Sequence, residues 1–141
     1  MDGLVSRQHL SLDLALTLLA RVREEAEARD LSLAAAVVDG SGQVLASQRM
    51  EGAALGAMQL AVGKAYTAAS WATPSGEFGR STQPGGDDWG WNTTDSRIVV
   101  YAGGIPLLVD GELVGAIGAS GGTATEDEEC VVAAAAGLGF D

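Results

Sequence analysis

An α+β layered domain, with about five mainly antiparallel strands and helices packed against the sheet, is the fold class this sequence predicts. Three features predict it. Short apolar runs are joined by tight turns at Asp39-Gly40-Ser41-Gly42 and at Asp110-Gly111, and hairpin-linked strands build antiparallel sheets. Residues 12–26 and 54–68 instead repeat their small and apolar positions at helical spacing. The third feature is the stretch from Val114 to Glu129. There an apolar strand, interrupted by Gly115 and Gly118, turns at Ser120-Gly121-Gly122 and enters a helix. A strand so poor in side-chain bulk admits a helix, another backbone or a flat ligand at close range.

The elements follow in order. Residues 1–10 carry no periodic pattern and are expected as a loose N-terminal arm. Ser11 suits a helix N-cap, and Leu12, Ala15, Leu16, Leu19, Val22 and Ala26 form the apolar stripe of the helix behind it. Residues 32–50 read as a hairpin, closed by Glu51-Gly52. Ala54, Met58, Ala61, Ala65 and Ala68 make a helix face of small residues from Ala53 to Trp71, suited to close packing on a sheet. Pro74 ends that helix and opens a short one, with Thr73 as its expected cap. Residues 83–96 form a loop rich in Pro, Gly and Asp that carries Trp89 and Trp91. Residues 98–101 and 105–109 are expected strands. Pro106 confines the second to a sheet edge or bulge, because it lacks an amide donor. Thr123 and Thr125 head overlapping capping boxes with Glu126 and Glu128, and the last helix is expected from Glu126 to Ala136. Four carboxylates at residues 126–129 occupy the field of that helix start and argue against a phosphate site there.

The 141 residues are expected to form one domain. Hydrophobic residues at 47% against 19% charged exclude a disordered chain. A formal charge of −11 argues against nucleic acid and anionic membranes as partners. No apolar run reaches the ~20 residues of a membrane helix, and no secretory pattern is visible. The single cysteine, Cys130, excludes an internal disulfide and fits a reducing compartment, so a cytoplasmic location is expected. No Cys/His cluster of the zinc-binding kind is present.

Several motifs keep a common order along the chain. They are Val37-Val38-Asp39 with Gly42, Arg49-Met50-Glu51-Gly52-Ala53, Gly63-Lys64-Ala65-Tyr66-Thr67-Ala68, Gly103-Gly104-Ile105-Pro106-Leu107, the run from Gly115 to Gly122, and Asp127-Glu128. In these the chain resembles the GlcG/HbpS-like family, over nearly all of residues 11–138. The resemblance implies a profilin-like α/β/α arrangement, homo-oligomers and, in some members, haem or another tetrapyrrole as ligand. Function varies within such a family more than fold does.

Lys64 is the leading candidate for chemistry. An ammonium on an alanine-lined face is partly desolvated; it either holds a ligand carboxylate or pairs structurally with a carboxylate such as Asp39 or Glu51. Arg49 offers a planar fork to a carboxylate, or is a surface strand residue. Trp89 and Trp91 are expected to cover a cavity mouth or a neighbouring subunit, with Tyr66 as a pocket wall. The turns Gly103-Gly104 and Gly121-Gly122 present backbone amides to a ligand, or simply connect strands tightly. Haem iron usually takes His, Cys, Met or Tyr as axial ligand, and His9 is the only imidazole; it reaches iron only if the arm folds back. Three functions stay open. The first is a binding protein for a flat carboxylated molecule, haem by default. The second is a cofactor-independent isomerase, lyase or cyclase using Lys64 with Asp88 or Asp95 as proton-transfer groups. The third is a ligand-free structural oligomer.

Overall fold

The computed structural model describes residues 1–141. Helix α1 spans Leu12–Ala28 and is capped by Ser11, whose side chain accepts the Leu14 N–H at 3.1 Å. Strands β1 (Ala34–Asp39) and β2 (Val44–Arg49) form the first hairpin. Helix α2 spans Ala57–Trp71 and helix α3 spans Ser75–Ser81, followed by a 3-10 turn at Trp91–Thr94. Strands β3 (Gly104–Val109) and β4 (Glu112–Ser120) form the second hairpin, and helix α4 spans Ala124–Ala135. The sheet order is β2-β1-β4-β3 and every neighbouring pair is antiparallel. Helix α2 covers one face of the sheet; α1 and α4 pack together on the other.

The two faces are built differently. Under α1 and α4 the core is bulky: Leu18, Leu33, Val37, Leu107, Ile117 and Val131 are fully enclosed. The α1 stripe is rotated from the expected one, since Leu18 points inward while Leu12 and Leu16 face solvent. Under α2 the contacts are made by Ala61, Ala65 and Ala68 against Ala34, Val38 and Ala116. Backbones meet directly there. A Cβ at Gly118 would lie 2.3 Å from the Ala61 carbonyl oxygen, and one at Gly104 would lie 2.3 Å from that of Lys64. The pared-down sheet surface is therefore filled by helix α2.

Four strands form where about five were expected. Residues 98–101 form no strand and pair with none. They lie on α2 and α3, where glycines admit them: a Cβ at Gly63 would meet Val99 at 2.3 Å, and one at Gly79 would meet the Val100 oxygen at 1.9 Å. Side chains then satisfy their backbone. Thr67 accepts the Val99 N–H at 2.9 Å, and the Ser75 hydroxyl donates to the Tyr101 oxygen at 2.7 Å. Pro106 does sit in β3, at the sheet edge. Helix α4 starts earlier than expected because the Thr123–Glu126 capping box closes, and Thr125 lies inside the helix. Pro74, not Thr73, holds the cap position of α3.

The inner end of the N-terminal arm is anchored. Leu10 is buried, and its N–H donates to the Val114 oxygen at 3.0 Å. No helix is long and apolar enough to cross a membrane.

Candidate functional site

Lys64 projects from α2 through the small-residue layer and ends in a closed cage. Its ammonium donates to Asp127 Oδ2 at 2.9 Å and to the Ala119 oxygen at 3.0 Å. Their side chains are 3% and 2% exposed. The other Asp127 oxygen accepts the Gly122 N–H at 2.9 Å. The partner is thus Asp127, in the first turn of α4, and not Asp39 or Glu51. Asp39 instead accepts the Ser41 and Gln43 amides of its own turn. Buried charges persist when paired and hydrogen-bonded, and Lys64 makes two such bonds, one of them to Asp127.

Two of the four expected glycine amides, those of Gly104 and Gly122, are spent in the same region. Gly104 N–H goes to Ser75 Oγ at 2.9 Å, and the Gly103 carbonyl accepts the Ala119 N–H at 2.9 Å. Gly103 has φ +129°, and a Cβ there would lie 2.8 Å from the Lys64 nitrogen. Gly121, at φ +141°, passes so close to Ser32 that a Cβ would lie 2.4 Å from its carbonyl. These glycines let backbone close around the ion pair. Arg49 is exposed on edge strand β2, beside a hollow of about 130 Å³ shared with Met50 and Glu51.

The tryptophans separate. Trp89 is 70% exposed, while Trp91 packs 4.2 Å from Trp71 and 5.3 Å from Phe78, ring centre to ring centre. Trp91 thereby tethers the loop to α2 and α3, and neither residue lines the larger surface hollows. Asp88 is exposed, and Asp95 is bound to Tyr66 and Arg97. Lys64 is not brought together with either carboxylate. Cys130 is buried, and burial pushes its thiol above the ordinary range. His9 Nδ1 accepts the Gly40 N–H at 3.1 Å, which leaves its proton on Nε2.

The structure supplies a feature that sequence spacing does not show. A groove of about 480 Å³ runs between α2, the start of β2 and residues 96–99. Val44, Leu60, Val62 and Val99 form its apolar walls, with Tyr66 and Arg97 at its polar end. The Tyr66 hydroxyl donates to Asp95 Oδ2 at 2.5 Å. Arg97 grips both oxygens of Asp95 through Nε and Nη2, each at 3.0 Å, and its guanidinium carbon lies 4.1 Å from the Tyr66 ring centre. Hydrogen bonds from Arg97 and then Tyr66 hold the Asp95 carboxyl well below the usual range. Burial, with the Asp95 contact next, pushes the Tyr66 phenol up. Gly42 makes room for the ring: a Cβ there would lie 3.2 Å from it. Arg97 is the only charged residue lining this groove, in a chain of net charge −11.

A four-stranded antiparallel sheet with helices on both faces and a groove at the α2 margin defines a layered α+β protein. The family is shown by comparison: residues 10–136 match the model described as "Haem degrading protein HbpS-like", and the chain belongs to this GlcG/HbpS-like family. An uncharacterised 15.0 kDa protein from the dhaT–dhaS intergenic region of Citrobacter freundii is 34% identical over 125 residues, covering 86% of this chain and 88% of that one. The crystal structure of a PduOC:haem complex matches with a TM-score of 0.90 at 29% identity, over 94% of this chain and 97% of that one. A double mutant of Streptomyces reticuli HbpS matches with a TM-score of 0.91 at 30% identity, over 99% and 93%.

Proposed function

We propose that this protein binds a small, flat, carboxylated ligand, with haem as the default guest. The observation that carries this reading is the match along 94% of the chain to a relative solved with haem. The groove supports it with apolar walls and a single exposed guanidinium, the usual composition of a small-molecule site. Haem, when bound, supplies iron chemistry; the chain supplies the surroundings. Arg97 suits a propionate. His9 is available to iron through Nε2 only if the Gly40 hydrogen bond opens or shifts, because Nε2 carries the proton while Nδ1 accepts. Exposed Leu12, Leu16 and Leu55 support a homo-oligomer, and the lone buried thiol suits a cytoplasmic location.

One sample tests the reading. A native mass spectrum and an ultraviolet–visible scan of the isolated protein report subunit number and any coloured guest, and haemin is then titrated into colourless protein. The expected result is a Soret shift with an affinity tighter than ~10 μM. The absence of both overturns haem as the guest.

A further inference from the structure

We propose that the groove between α2, β2 and residues 96–99 takes a flat aromatic carboxylate. Its ring lies along the apolar walls at Val44 and Leu60, and its carboxylate meets Arg97 Nη1. The proposal rests on the reading of the chain as a binder of flat carboxylated guests, and it adds where and how.

Three observations converge on this place. The guanidinium is held ready. Nε and Nη2 are committed to Asp95, the Arg97 backbone N–H also donates to Asp95 Oδ1 at 3.0 Å, and one guanidinium face rests on Tyr66. Nη1 has no protein acceptor, and the side chain is 64% exposed. The second observation is that apolar surface stands uncovered beside it: Val44 is 49% exposed and Leu60 39%. The third is the donor at the lining. Arg97 is the only charged residue lining the groove, and although its pairing with Asp95 balances the local charge, its Nη1 N–H still offers a donor to a guest.

The chemistry of the guest follows. The exposed apolar walls suit the face of a flat ring, and the in-plane Nη1 N–H suits a carboxylate at that ring's rim. One free nitrogen suits one carboxylate. A phosphate normally engages several donors, and no lysine lines the groove. A volume of about 480 Å³ encloses a fused aromatic acid, or one edge of a tetrapyrrole whose remainder projects into solvent. The shared chemistry is a planar aromatic surface with a carboxylate at its rim.

The test uses the full chain with two probes, naphthoate and haemin, titrated by calorimetry and absorbance. Wild type is compared with Arg97→Gln and Leu60→Glu; both positions are exposed, and thermal melts check that the variants fold. The expected result is naphthoate binding to wild type that weakens about tenfold or more in each variant, with haemin following the same order. Naphthoate and haemin binding wild type and both variants equally well overturns the groove while the guest reading stands. Naphthoate binding that depends on Arg97, with no haemin binding, removes haem as guest and keeps the groove. Binding of neither probe to wild type overturns both.

Discussion

Lys64 and Asp127 touch across the sheet although 63 residues separate them in sequence. Neither is reached by solvent, so removing one partner strands a buried charge. Lys64→Ala is expected to cost about 3–5 kcal/mol in urea denaturation, whereas the paired change Lys64→Met with Asp127→Leu recovers much of that loss. A Lys64→Ala protein as stable as wild type would show that the pair holds nothing. Tyr66 and Asp95 make a different prediction, about pH. Asp95 titrates below the ordinary carboxylate range, so its stabilising contribution is complete above about pH 4 and is lost as the pH falls through its folded value. The Tyr66 phenol titrates above the ordinary range, so its contribution is complete below about pH 10 and is lost as the pH rises further. Absorbance of phenolate against pH should show a component above the ordinary range that is missing in Tyr66→Phe. At this scale the sequence was partly legible. Lys64 stood out on its alanine face, but its partner did not, because Asp127 reads as one of four carboxylates at a helix start. Arg97 was silent: its role comes from a turn that folds it over Tyr66, and no spacing announces that.

Helix α2 rests on the sheet by the absence of side chains, and glycine substitutions separate packing from propensity. A Cβ at Gly118 would meet backbone of α2 at 2.3 Å from the Ala61 oxygen and 2.6 Å from the Ala65 nitrogen, neither of which can swing away. Gly118→Ala is expected to destabilise by about 1–3 kcal/mol despite the lower chain entropy of alanine. Gly56, at the start of the same helix with φ −79°, has open space around it. Gly56 is the N-cap, where alanine is the poorer residue, so that loss opposes the entropic gain and Gly56→Ala is expected to change stability by less than about 0.5 kcal/mol. Equal melting shifts for the two would refute close packing as the reason for Gly118. The two hairpins and all four helices were legible because turn residues, Pro74 and apolar periodicity specify them locally. The stretch 98–101 was misleading because a β-rich run states a local preference, not that a strand lies beside it. What decides is Thr67, Ser75 and Gly79 on other elements, which take its backbone bonds and leave it room.

The layering of the whole molecule follows from the unequal faces of its sheet. Bulky residues require α1 and α4 for cover, and small ones let α2 approach to backbone contact. That arrangement occupies the surface the sequence offered to a guest, so the groove proposed for one lies at the margin of α2. There the field of the whole chain opposes the field of the site. Nineteen acidic side chains against eight basic ones repel an anionic guest at long range, while Arg97 attracts it only on contact. The screening length falls from ~30 Å at 0.01 M salt to ~8 Å at 0.15 M, so salt suppresses the distant repulsion first. The association rate of haemin or naphthoate, followed by stopped flow, should therefore rise with salt over that range. A cationic funnel gives the opposite slope. A rate that falls with added salt would mean that local positive potential outweighs the net charge of −11, and that a basic surface other than Arg97 guides the guest.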